Sequence, residues 1–200
     1  MTVGVAFLLL VALGSMTLFG KRRQVFDPER IAAGEVGMWQ AYYGGRRLRL
    51  FGQLLAMLRR QFGLSWYEAF RIGHLLARSA MRFKDVWDDY EAVALPDLAA
   101  AYERIRRATG RGFDPAAVAR AELAWWVARR TPGDKAPEVV GRRIGELYAA
   151  FYERQSPDFA QAGWLRAQAA YLRDQQEDQA DWEKIRAMLV ESYRLLGGYE

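Results

Sequence analysis

Six polar side chains recur in matched surroundings: Glu35, Arg71, His74, Glu122, Arg143 and Glu146. Phe26 onward reads FDPERIAAGEVGMW and Phe113 onward reads FDPAAVARAELAWW, so Glu35 aligns with Glu122 and Trp39 with Trp126. A second match sets Arg71-Ile72-Gly73-His74 beside Arg143-Ile144-Gly145-Glu146. A carboxylate on an otherwise apolar helix must be paired if it is buried. Arginine offers a planar fork that fits a carboxylate. The expectation is therefore a buried ion pair in each repeat, Glu35 with Arg71 and Glu122 with Arg143. Such pairs fix helix register more surely than they add stability. The alternative is a polar centre in which Glu35, His74, Glu122 and Glu146 surround one divalent metal ion.

Two helix pairs bearing carboxylates resemble the ferritin-like di-iron proteins, which place Glu-x-x-His on two helices. Here the corresponding positions read Arg71-x-x-His74 and Arg143-x-x-Glu146. A cation at each position repels a second metal, which argues against a di-iron pair and leaves the single ion. The chain has no cysteine and one histidine, so disulfides, thiol catalysis and schemes needing two imidazoles in one chain are excluded. There is no phosphate-binding glycine loop and no nucleophile elbow. No catalytic residue is singled out, and whether the chain is an enzyme stays open.

The elements that position these residues are helices throughout. Asp27-Pro28 and Asp114-Pro115 each pair an N-cap with proline at the first helical position. Ser65 with Glu68 makes a capping box. Gly44-Gly45, Gly63, Gly110 and Gly197-Gly198 are stops. Leu95-Pro96-Asp97 reads as a further start. No stretch alternates like a strand. The class is all-α, with a domain of about eight helices over 28–200 that contains a duplicated helical unit, 26–84 and 113–156. The Trp125-Trp126 pair reads as one ring in the core and one at its edge.

Val3 to Phe19 is apolar and uncharged, and Lys21-Arg22-Arg23 follows it. At about 1.5 Å per residue this run covers roughly the thickness of a hydrocarbon core. Residues 1–20 are expected to form a single transmembrane anchor and 21–27 a basic juxtamembrane linker. Basic residues stay on the cytoplasmic side, so the N-terminus is expected outside and the bulk of the chain inside, as in a bacterial inner membrane. From Lys21 to Lys84 there are 13 Lys/Arg against 4 Asp/Glu, and from Asp85 onward 16 against 20. In the helix from Arg46 to Phe62, Leu48, Phe51, Leu55, Leu58 and Phe62 share one face. Lys21, Arg22, Arg23, Arg46, Arg47, Arg49, Arg59 and Arg60 are the expected contacts to anionic lipid. The acidic second half is the expected surface for a protein partner, and no nucleic-acid partner is expected. The chain reads as a membrane-tethered helical interaction or scaffold protein. The alternative is an enzyme or ligand-binding protein that uses the Glu/Arg/His centre.

Overall fold

Asp27 and Asp114 each begin a helix in the way their spacing predicts. In the computed structural model, which describes residues 26–199, the Asp27 carboxylate accepts the Arg30 amide at 3.1 Å. That of Asp114 accepts the Ala116 amide at 2.9 Å. Eight α-helices result among the described residues: α1 (Pro28–Tyr43), α2 (Arg47–Phe62), α3 (Trp66–Asp85), α4 (Tyr90–Thr109), α5 (Pro115–Arg130), α6 (Pro137–Tyr152), α7 (Pro157–Gln176) and α8 (Trp182–Leu196). A 3₁₀ turn, Glu177–Gln179, lies between the last two. There is no strand among the described residues. Gly63 and Gly110 end α2 and α4 in the left-handed region, at φ 63° and 68°.

Each helix packs on the next, and α8 packs on α1, so the eight close into a ring. Connections of a few residues make neighbours antiparallel. The start of α1 and the end of α8 meet at one end of the ring, where Phe26 packs on Gly197. The ring has no empty centre. Tyr102, Phe113, Trp125, Trp126, Tyr148 and Tyr193 fill it and are buried. Both tryptophans of the 125–126 pair lie in the core, rather than one at its edge.

The second four helices follow nearly the same order of lengths as the first. Their lengths run 16, 16, 20 and 20 residues in α1–α4, and 16, 16, 20 and 15 in α5–α8. Asp27, Ser65 and Asp89 precede α1, α3 and α4, as Asp114, Ser156 and Asp181 precede α5, α7 and α8. Ile72 and Gly73 of α3, and Ala162 and Gly163 of α7, are buried at similar heights along their helices. Buried Leu98, Ala101, Tyr102 and Ile105 of α4 match Leu189, Ser192, Tyr193 and Leu196 of α8. The expected units, 26–84 and 113–156, cover α1–α3 and α5–α6. The Arg-Ile-Gly match pairs α3 with α6, helices of different rank.

The halves differ where their second and third helices meet. Gly141 and Gly145 of α6 face Gly163 of α7 so closely that a Cβ on Gly163 would lie 2.2 Å from the Gly141 carbonyl oxygen. In the first half Phe51 and Leu55 lie over Gly73 instead. Larger side chains hold α2 off α3. The apolar face expected on α2 divides accordingly: Leu58 and Phe62 are buried, Phe51 and Leu55 are half-buried, and Leu48 is 91% exposed.

α4 begins before Pro96, at Tyr90, rather than at Leu95. A proline inside a helix removes one backbone hydrogen bond. Tertiary contacts hold the turns that precede it. Tyr90 packs on Phe83 with ring centroids 4.8 Å apart, and the buried Ser79 hydroxyl donates to the Ala94 carbonyl at 2.8 Å. The expected anchor, 1–20, and Lys21, Arg22 and Arg23 lie outside the described residues. Among the described residues no helix is long and apolar enough to cross a membrane.

Candidate functional site

The centre of the ring is polar. Glu35 on α1 and Arg166 on α7 form a buried ion pair, with side chains 3% and 4% exposed. The Tyr193 hydroxyl of α8 donates to the other oxygen of Glu35. Glu122 on α5 accepts from the Tyr102 hydroxyl of α4 at 3.1 Å and from the Trp126 indole at 3.0 Å. Tyr102 and Tyr193 hold like places on α4 and α8, as Glu35 and Glu122 do on α1 and α5. In each half the tyrosine of the fourth helix thus bonds the glutamate of the other half's first helix. The halves differ in the third partner. Arg166 takes up Glu35, and the Trp39 indole, matching Trp126, makes no hydrogen bond among the described residues.

Electrostatics follow this difference. Burial raises the Glu122 carboxyl to about 7, although the Trp125 and Trp126 indoles, the Arg166 charge and the Tyr102 hydroxyl favour its charged form. Burial, and then the adjacent carboxylates, push Tyr102 and Tyr193 well above the ordinary phenol range, so both stay protonated donors. Burial alone would lower the Arg166 guanidinium, but Glu35 outweighs it and holds the group above its usual value. Arg166 also sits over the Trp125 ring, 5.7 Å from its centroid. A second polar cluster ties α1, α5 and α7 at one end of the ring. Tyr43 donates to Asp174 at 3.0 Å, Arg129 bridges both, and Arg173 lies over the Tyr43 ring. Burial pushes the Tyr43 hydroxyl up to about 12.

The six residues expected to form one centre do not converge. Glu35 and Glu122 are inside, and the other four are exposed. Arg71 donates to the Tyr67 hydroxyl one turn earlier, at 3.0 Å. His74 stacks on Phe70. Arg143 pairs with Glu146 on the surface of α6 at 2.9 Å. The expected pairs Glu35–Arg71 and Glu122–Arg143 are therefore replaced by Glu35–Arg166 and by Glu122 with Tyr102 and Trp126. The reason is geometric: Arg71, His74, Arg143 and Glu146 sit on the outward faces of helices whose inward faces are Ile72, Leu76, Ile144 and Tyr148. The metal set Glu35, His74, Glu122 and Glu146 is split the same way. Among the described residues no group of three or more potential ligands is placed to hold a metal ion.

The long-range partners Arg166, Tyr102 and Tyr193 were not expected from local spacing. Nor was Arg130, a buried side chain of α5 that donates to the carbonyls of Phe83 and Lys84 at the end of α3. The repeat itself carried a signal for the tyrosines, because each stands three residues before the last large apolar residue of its helix, Ile105 or Leu196.

Of the residues expected at a membrane surface, Arg46, Arg47, Arg49 and Arg60 are exposed on α2 and the residue before it. Arg59 is half-buried, 4.0 Å over the Trp66 ring. None of these five forms an ion pair among the described residues. A surface groove between α6 and α7 is lined by Arg142, Glu146, Gln155 and Ser156. Comparison with protein-family models, with curated proteins and with solved structures returns no match to this chain.

Proposed function

We propose that this chain is a membrane-tethered helical scaffold whose folded ring carries no chemistry of its own. The observation that carries this reading is the use to which its buried charges are put. Both central carboxylates are consumed by side chains of the same ring, which join α1 to α7 and α8, and α4 to α5. A catalytic carboxylate needs reach to a substrate, and these two are 2% and 1% exposed. The tether is the apolar run Val3–Phe19 with the basic Lys21-Arg22-Arg23 after it. The ring itself is a four-helix unit duplicated and closed on itself, as the matched caps, lengths and Tyr–Glu bonds support. The acidic second half is the surface offered to a protein partner. Cross-linking in intact membranes, followed by detergent extraction, tests the scaffold role. A defined partner joined through α5–α8 is the expected result. A chain recovered only as itself, alongside turnover of a small molecule by the purified protein, would contradict it.

A further inference from the structure

The outward face of α2 and α3 differs from the rest of the ring in two ways. The first is apolar exposure. Leu48, Trp66, Tyr67, Phe70 and Met81 are 52–91% exposed, as is Trp87 just past the end of α3, and among the described residues the other exposed large apolar side chains, Trp164 and Tyr171, are only 37% and 44% exposed. Tyr67, Phe70, His74 and Met81 follow helical spacing along one side of α3. Phe70 meets Phe51 edge-on at 5.9 Å, which makes the α2 and α3 surfaces continuous. The second is uncompensated charge. Arg47, Arg49, Arg60, Arg71 and Lys84 are exposed on these two helices and form no ion pair among the described residues. Elsewhere most arginines are matched, as Arg106 and Arg107 are by Glu103 and Arg194 by Glu29, and the exposed Arg120, Arg142 and Arg154 that are not lie scattered over α5, α6 and the turn after it.

We infer that this face docks on an anionic lipid surface and lays the ring on its side against the bilayer. The inference rests on the tether proposed above and names the occupant of the basic half. Trp, Tyr and Phe interleaved with Arg and Lys are the side chains that settle at a lipid–water interface. Each basic residue near an anionic leaflet adds to the electrostatic attraction. From Trp66 to Asp85 the helix spans roughly 30 Å, at about 1.5 Å per residue. That length suits a plane better than a pocket. Chain entry at Phe26 leaves only residues 20–25 between the apolar run and the ring, which keeps the face within reach of the leaflet.

The chain has no cysteine, so single labels can be placed on the full-length protein. Phe70→Cys and Met81→Cys carry a nitroxide on the docking face, and Gln161→Cys carries one on the exposed side of α7. Each protein is reconstituted in phosphatidylcholine vesicles, with and without phosphatidylglycerol. With the anionic lipid, the ratio of oxygen to nickel-chelate accessibility rises several-fold at 70 and 81 and not at 161. Salt at about 0.5 M, where the screening length falls to roughly 4 Å, reduces the rise. Labels at 70 and 81 that stay as aqueous as 161 in both vesicles overturn the inference. So does protection of that face by an acidic protein or by RNA with none from anionic lipid. Alkaline extraction reads the tether separately. A chain that resists alkali with aqueous labels refutes the docking alone, and one released by alkali that still buries its labels refutes the tether alone.

Discussion

Replacing Arg166 by Met leaves Glu35 inside the ring without its cation. Breaking a buried pair from one side costs about 3–5 kcal/mol, because the remaining charge has no partner. A domain of this kind has roughly 5–15 kcal/mol in hand, so Arg166→Met removes a large share of it. Glu35→Met is expected to cost a similar amount, since it strands the guanidinium and also takes the acceptor from the Tyr193 hydroxyl. An unmatched buried hydroxyl costs about 1–3 kcal/mol. The double variant carries only that last penalty. Two thioether chains fit beside the Trp125 ring, and the buried Arg166 Nε, which has no hydrogen bond in the present ring, is gone. The double variant is therefore more stable than either single one, with a coupling of at least about 2 kcal/mol in a double-mutant cycle. Adding Tyr193→Phe recovers the hydroxyl penalty as well. Urea denaturation of the wild type and these four variants measures this. Single-variant losses that add to within about 0.5 kcal/mol would refute the pairing of α1 with α7.

Glu122 makes stability depend on pH. Its carboxyl is raised from 4.5 to about 7, so the stability it contributes is full below 4.5 and is lost as pH rises through 7. The loss is on the order of 3 kcal/mol. Glu122→Gln should therefore gain on the wild type between denaturation at pH 5 and at pH 8, and a difference that does not change with pH would count against it. Gly163→Ala brings a Cβ within 2.2 Å of the Gly141 carbonyl oxygen and 2.8 Å of the Gly145 nitrogen. Backbone cannot give way there, so despite about 1 kcal/mol of added helix propensity the variant loses about 2 kcal/mol or more. Gly73→Ala meets the end of the Leu55 side chain, which can rotate, and is close to neutral. Equal urea midpoints for the two would contradict the close approach of α6 and α7.

Local chemistry carried the sequence-based expectations as far as local chemistry reaches. Capping acts over three residues, so Asp27, Asp114 and Ser65 mark their helices correctly. Glu68 is an exception, since its carboxylate pairs with Arg104 at 3.4 Å. The matched Glu35 and Glu122 pointed to the buried centre, where both lie. Their partners escaped because ring closure sets them. Glu35 and Arg166 lie on the first and seventh helices, and nothing at either position announces the other. Arg71 and Arg143 share a local string yet sit on helices of different rank, and short-range similarity cannot tell rank. Pro96 misled for a related reason. Proline favours a helix start, but Phe83 and Ser79 of α3 hold the preceding turns.

The tether is tested most directly by alkaline extraction of membranes from cells that express the full chain or the chain lacking residues 1–23. The full chain is expected to remain in the membrane pellet. The shortened chain is expected to leave it at alkaline pH and high salt, because a face that lies in the interface does not span the bilayer and salt screens its basic residues. Full chain released by alkali, or shortened chain that resists it, would contradict the account.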